Sequence, residues 1–322
     1  MKKIILCLVF LLSCNPTPCK KTYQALSNEI ELNDLSKNLF GVNSQKEFSD
    51  FLILNSDFLI PFFELGTPLV QEDVSQVYSL IDNVYYDSLY FDVKKTYGDF
   101  SLVHNELNNS FHIYNNQSNI KFQPHLNIIV SGFFNDLLVS KNSISVGIEY
   151  FLKKGNKYKP SDLPDYILDR YTPSHLNPTL LTAFFSQFNI IDESDKTMLN
   201  EMIAYGKLYY IVEKISDCVQ KNIILGYDLD QYKTLEENEA FIYSYFIQNE
   251  LFFEEQQKEK QKYISERPRT YEISSQLPGR IGRWLGWKIV HSYMAENEVT
   301  LEELLIEKDF KKVFYNSNYK PS

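Results

Sequence analysis

Residues 195–215 read DKTMLNEMIAYGKLYYIVEKI. Leu199, Met202, Ile203, Gly206, Tyr209, Tyr210 and Val212 recur at spacings of three and four. Such a broad apolar stripe belongs to a helix buried on a wide face. A second stretch, residues 278–290, reads PGRIGRWLGWKIV. Pro278-Gly279 starts a long helix, predicted over about residues 280–295. Gly282 and Gly286 leave one face of that helix bare. Glycine costs about 1 kcal/mol in a helix interior, so two on one face predict close packing against another helix. These stretches point to a chain dominated by helices.

Working outward, residues 29–40, 45–51 and 71–89 carry helical spacing, with breaks at Pro61, Gly66 and Pro68. Residues 92–106 form a further candidate helix, with a turn at Tyr97-Gly98. The texture changes near residue 120. Asn127-Ile128-Ile129-Val130 is a β-branched run, and residues 143–148 alternate as a half-buried strand does. Lys141-Asn142 suits a hairpin turn between them and Val139. Helical pattern returns over residues 165–171, 178–188 and 195–215. Thr234 and Glu237 fit a capping box, opening a helix that runs to about Gln257. Its charged end, residues 254–262, reads as a solvated face. Residues 300–314 form a last amphipathic segment. The fold class is therefore α+β: a mostly α-helical single domain with a small β-sheet.

The N-terminus carries a different message. Met1-Lys2-Lys3 precedes the short apolar run IILCLVFLL, then Ser13 and Cys14. A spanning helix needs about 20 apolar residues, so this run reads as a secretory signal. Leu11-Leu12-Ser13-Cys14 resembles a bacterial lipobox, which makes Cys14 the lipidated residue and a new N-terminus. The expected organisation is a signal peptide over residues 1–13, lipidated Cys14 with a tether to residue 25, and a globular domain over 26–322. The protein is expected in the cell envelope, held to a membrane by lipid and facing the periplasm, with inner or outer membrane left open. Cys7 leaves with the signal. Cys19 lies in the tether, so a bridge from it to Cys218 is not expected.

Composition narrows the function. The formal charge is −10, and losing Lys2 and Lys3 with the signal makes the mature chain more acidic. No basic block is present, which argues against nucleic acid as a partner. Apolar residues make up 44% of the chain, and 23 Tyr and 23 Phe supply large buried areas.

Several segments resemble the gliding motility-associated lipoprotein GldB family of the Bacteroidota. Thr197-Met198-Leu199-Asn200-Glu201-Met202-Ile203-Ala204-Tyr205-Gly206-Lys207-Leu208-Tyr209 is similar to the family's helix "LL..MI.YGK.LY". Leu225-Gly226-Tyr227 followed by Asn238-Glu239 is similar to its "IGYT…NE" stretch, and the block at Pro278 to its most distinctive one. The tail ending Tyr319-Lys320-Pro321 also resembles the family's. Two departures stand out: Tyr243 where the family has tryptophan, and Ala204-Tyr205 before Gly206-Lys207 where it has a tyrosine pair. The resemblance implies an envelope lipoprotein needed for gliding, with components of the type IX secretion machinery as partners.

The order of a sheet, a helix and a second helix bearing a glutamate also resembles gluzincin metallopeptidases. Those enzymes place two histidines around a glutamate on one helix to hold zinc. Here Asn200 and Ala204 replace both histidines around Glu201, while Glu237 or Glu239 falls where a third ligand would be. A degenerate gluzincin-like fold is one reading this allows. His104, His112, His125, His175 and His291 form no pair at helical spacing. No catalytic residue, metal ligand or cofactor is assigned, and the chain reads more as a binding protein than an enzyme. The alternative is an envelope hydrolase, peptidase-like, with an atypical metal site; a carrier of a small envelope ligand is a third idea. The candidate cleft or binding residues are Glu201, Tyr205, Lys207, Glu237, Glu239, Arg280, Trp284 and Trp287. A bland reading of the same set, helix packing with Lys207 or Arg280 paired to Glu201 or Glu239, is preferred.

Overall fold

The computed structural model describes residues 29–161 and 163–321. The expected signal peptide, Cys14 and the expected tether lie outside the described residues. The described chain is mostly helical around one small sheet.

The chain opens with a strand, β1 (Leu32–Asp34), and runs into α1 (Leu35–Phe40). The helix expected over residues 29–40 is thus half replaced by a sheet edge. Neighbours outweigh local periodicity here. Asn108 Oδ1 accepts from the Ile30 N–H at 2.9 Å, His104 Nε2 meets the Ile30 carbonyl at 2.7 Å, and Leu126 N–H donates to the Glu31 carbonyl at 2.7 Å. These bonds hold the backbone extended. Next come α2 (Gln45–Leu54), α3 (Ser56–Phe62), α4 (Gln71–Ile81), α5 (Tyr86–Tyr97) and α6 (Ser101–Gln117). The helix expected over 71–89 breaks at residues 82–85, and the one over 92–106 breaks at the turn expected around Gly98 (φ 62°).

The sheet adds β2 (His125–Ile129), β3 (Leu137–Ser140) and β4 (Ser143–Gly147), in the order β1-β2-β4-β3. The first three neighbours are parallel; β3 runs antiparallel to β4 across the Lys141-Asn142 turn. β2 and β4 are buried on nearly every residue, as central parallel strands are. Their polar side chains answer one another across the register. Asn33 donates to Asn127 at 2.9 Å, and Asn127 to Ser145 at 3.0 Å. Beyond β4, Glu149 is fully buried and accepts from the Ser131 N–H, the Ser131 hydroxyl and the Phe133 N–H. Burial raises its pKa, and those donors offset part of the rise.

The second half comprises α7 (Asp165–Leu168), α8 (Pro173–Ser186), α9 (Met198–Ile215), α10 (Lys221–Ile224), α11 (Leu229–Glu237) and α12 (Glu239–Gln248). It ends with α13 (Gln257–Ile264), α14 (Ile281–Glu296), α15 (Leu301–Ile306) and α16 (Phe310–Asn316). Thr234 does not open a helix. It sits inside α11, its hydroxyl bonded to the Asp230 carbonyl, and the capping box belongs to Asp228 and Gln231. Asn238 then interrupts the run, and α12 stops at Gln248, short of the expected Gln257. The charged segment after it is not wholly solvated, because Lys260 is buried.

The α9–α14 pair is the spine of this half, and glycine makes it. A Cβ on Gly286 would lie 1.9 Å from the Met202 carbonyl oxygen, and one on Gly206 would lie 2.4 Å from that of Gly286. The two backbones therefore touch, as the bare glycine face predicts. Cys218, just beyond α9, is disulfide-bonded, against expectation. No other cysteine lies among the described residues, so its partner is outside them.

Candidate functional site

Where α14 begins, three arginines meet one carboxylate. Gly279 brings the chain so close to the Arg267 carbonyl that a Cβ there would stand 2.0 Å from its oxygen. Arg280 follows in a left-handed conformation (φ 61°, ψ 23°) as the helix N-cap. Non-glycine residues adopt that conformation uncommonly. It sends the Arg280 side chain inward, where the residue is 5% exposed. Its guanidinium donates to the Leu225 carbonyl at 3.1 Å and the Gly226 carbonyl at 2.6 Å, and lies 4.8 Å from the Tyr227 ring centre.

Glu266 sits between the arginines. Arg170, just after α7, grips both its oxygens, at 2.6 and 3.3 Å. Arg283, in the first turn of α14, reaches Oε1 at 2.9 Å and the Ile264 carbonyl at 2.6 Å. Arg280 Nε lies 3.4 Å from Oε2. Burial alone would raise the Glu266 pKa; Arg280, Arg170 and Arg283 outweigh it and hold the group below its ordinary value. The cost appears on Arg170, whose pKa is lowered by burial and then by Arg280.

A cleft of about 390 Å³ opens beside this cluster, between α8, α9 and the 223–226 segment. Arg170, Arg280 and Arg283 line it, with His175 from α8 and Tyr205 and Tyr209 from α9. Arg283 stacks 4.2 Å over the Tyr205 ring. His175 Nδ1 bonds the Thr172 hydroxyl at 2.7 Å, while its buried Nε2 has no partner. Burial, then Arg170 and Arg280, push the His175 pKa down to about 4, so the ring is neutral at pH 7. A larger hollow, about 490 Å³, lies by residues 152–160. Its lysines 154 and 159 pair at the surface with Asp169 and Asp165, and it gathers no comparable buried polar cluster.

Of the residues singled out from sequence, Tyr205 and Arg280 share the cleft. Glu201 is paired with Lys260 at 2.5 Å, and Lys260 also donates to the Lys196 carbonyl. Lys207 is wholly buried and donates to the carbonyls of Ile190 (3.0 Å) and Glu307 (2.6 Å). Burial pushes its pKa down to about 7. Glu237 is exposed. Glu239 pairs with Lys288 at 2.7 Å and accepts from the Tyr319 hydroxyl at 2.6 Å. Trp284 and Trp287 are buried, their indole N–H groups facing Glu236 (3.3 Å) and Glu213 (2.9 Å). The ion pairs expected between Lys207 or Arg280 and Glu201 or Glu239 do not form.

Arg170, His175 and Glu266 carry no local signature in the sequence, and Tyr209 stands out there only as part of the apolar stripe and the family-like helix. Arg283 does stand out beside Arg280, as a basic pair in an acidic chain. No group of three or more potential metal ligands occurs among the described residues. Glu201 is held by Lys260 on α13, so the gluzincin-like arrangement finds no support.

A family model described as gliding motility protein GldB matches residues 17–321. The chain belongs to the GldB family. That match spans nearly the whole chain, including every segment that lines the cleft, and makes this a gliding-motility-related protein. Comparison with curated proteins and with solved structures finds no match. No helix among the described residues is long and apolar enough to cross a membrane.

Proposed function

We propose that this chain is a non-catalytic envelope lipoprotein that supports gliding and the associated type IX secretion by binding, anchored through lipid on Cys14. The observation that carries this reading is the state of the one acid paired with the cleft's arginines. Glu266 is spoken for by three guanidinium groups, so it is a poor general base. What remains around the cleft are donors and aromatic faces, which suit recognition rather than bond cleavage.

The lipid reading also bears on Cys218. Signal cleavage removes Cys7 and acylation occupies Cys14, which leaves Cys19 as the disulfide partner. Such a bond would fasten the tether to the end of α9 and orient the domain on its membrane. Non-reducing peptide mapping of the mature protein should recover Cys19 joined to Cys218; a free Cys19 thiol would refute it.

The test of function is replacement in a gliding host. Deletion should abolish colony spreading and lower the secreted protein level. Glu201→Gln should restore both fully. A deletion strain that spreads normally, or a dead Glu201→Gln strain, would sink the proposal.

A further inference from the structure

The cation count at the cleft does not balance. Three guanidinium groups crowd one carboxylate, and no aspartate or glutamate lines the cleft itself. Two positive charges are left over in a chain whose formal charge is −10. Like charges brought together away from water repel strongly. Structure that tolerates such repulsion is poised to take an anion.

The second observation is independent of the arginines. His175 is 8% exposed and lines the same cleft, yet its Nε2 has no partner. In the tautomer where the Thr172 hydroxyl donates to Nδ1, the neutral ring carries its proton on Nε2. That makes it a donor to an oxyanion. A buried polar atom left unbonded is unusual enough to ask what satisfies it.

The rest of the wall sets the size and character of the guest. Tyr205, Tyr209, Leu208, Pro178 and Ala183 form apolar and aromatic surface beside the charged end. The volume, about 390 Å³, falls within the range of small-molecule sites and exceeds what a bare inorganic anion fills. From this juxtaposition we infer that the cleft binds a phosphomonoester: its phosphoryl group lies against Arg170, Arg283 and His175 Nε2, and its organic part lies against the tyrosines. A phosphomonoester carries a charge of about −1.5 to −2 at pH 7, which matches the excess. A carboxylate would leave half of it unmet. The phosphoryl group could belong to a free ester or to a phosphorylated lipid headgroup.

This inference stands apart from the gliding role. Loss of spreading on deletion tests that role, whereas direct binding tests this one. The experiment is calorimetric titration of the mature, detergent-solubilised protein at pH 7.5. The probes are phenyl phosphate, benzoate, inorganic phosphate, glycerol 3-phosphate and a short-chain phosphatidic acid kept below its micelle concentration. Phenyl phosphate should bind at one site, at least tenfold tighter than benzoate or inorganic phosphate. Arg170→Gln and His175→Gln should each weaken it tenfold or more. Ala183→Trp, which fills the cleft without touching the arginine cluster, should abolish binding in a protein whose circular dichroism is unchanged. Tighter binding of phosphatidic acid than of glycerol 3-phosphate would assign the site to a lipid headgroup, and the reverse to a free ester. Absence of saturable phenyl phosphate binding, equal binding of benzoate, or full binding by Ala183→Trp would overturn the inference.

Discussion

The two flanks of α14 handle charge in opposite ways. On one flank Arg170, Arg280 and Arg283 share Glu266. On the other, Glu213, Glu236 and Glu239 meet Lys221, Lys288 and His291, with Trp284, Trp287 and Tyr319 donating into the same network. His291 Nε2 lies 2.6 Å from Glu213, and Lys288 reaches both Glu236 and Glu239. Acids and bases there are nearly equal in number, and the network ties α9, α11, α12, α14 and the C-terminal tail together. Balanced pairs act as glue. The unbalanced cluster stores repulsion beside an open cleft, which is what a binding site requires and a purely structural contact does not.

That contrast can be broken outright by separating the helices that carry both flanks. Gly286→Ala would drive a methyl group into the Met202 carbonyl, and backbone cannot swing aside as a long side chain can. A loss of about 3 kcal/mol or more is expected, read as a fall in the urea midpoint. A stability equal to the parent's would mean that the helices slide apart freely and the contact is not the spine described.

A smaller effect sharpens the comparison. Glu266→Gln leaves three guanidinium groups without their counter-charge. Removing one partner of a buried ion pair costs about 3–5 kcal/mol; with the Glu266 side chain 32% exposed, about 2 kcal/mol is the expectation. Glu236→Gln, on the balanced flank, should cost about 0.5 kcal/mol or less, because Lys288 keeps Glu239. Equal losses from the two substitutions would erase the distinction between the flanks. The pH dependence has a definite sign as well. The folded pKa of Glu266 lies below its ordinary value. Its contribution is therefore present above the unfolded pKa and is lost as pH falls through the folded one.

A further expected change concerns the buried cation that belongs to neither flank. Lys207 titrates from 10.5 unfolded down to about 7 folded. The unfolded chain binds the extra proton between those values, so stability should rise with pH from about 7 toward 10. Lys207→Met should flatten that rise while shifting neutral-pH stability by about 1 kcal/mol. Urea midpoints at pH 7.5, 8.5 and 9.5 provide the check. An unchanged slope would mean that another group carries it.

How much of this was legible beforehand differs by region. The stripe over residues 195–215 and the glycines at 282 and 286 told of two long helices in close contact, because both signals are local and periodic. Met198–Ile215 and Ile281–Glu296 bear that out. The strands around residues 127 and 146 were equally plain, since β-branched runs bounded by turn residues have few other uses. Strand β1 was hidden, because three residues hold no period and its partners lie on α6 and β2. The start of α11 was misplaced by a plausible Thr-x-x-Glu pattern that loses to Asp228 six residues earlier.

The candidate site divides the same way. Arg280 and Tyr205 stood out within conspicuous blocks, and so did residues that turn out to face elsewhere: Lys207, Trp284, Trp287 and Glu239 lie on helix faces pointing away from the cleft. A helix repeats every 3.6 residues, so neighbours in a motif are scattered around its axis. By itself the sequence determined the helical class, the close glycine contact, the acidic balance and the membership of a family. The tertiary structure alone decided that Arg170, His175 and Glu266, separated by up to 96 residues, should converge on Arg280 and Arg283. Charge excess at a point depends on distances between segments, and no local pattern along a chain records those.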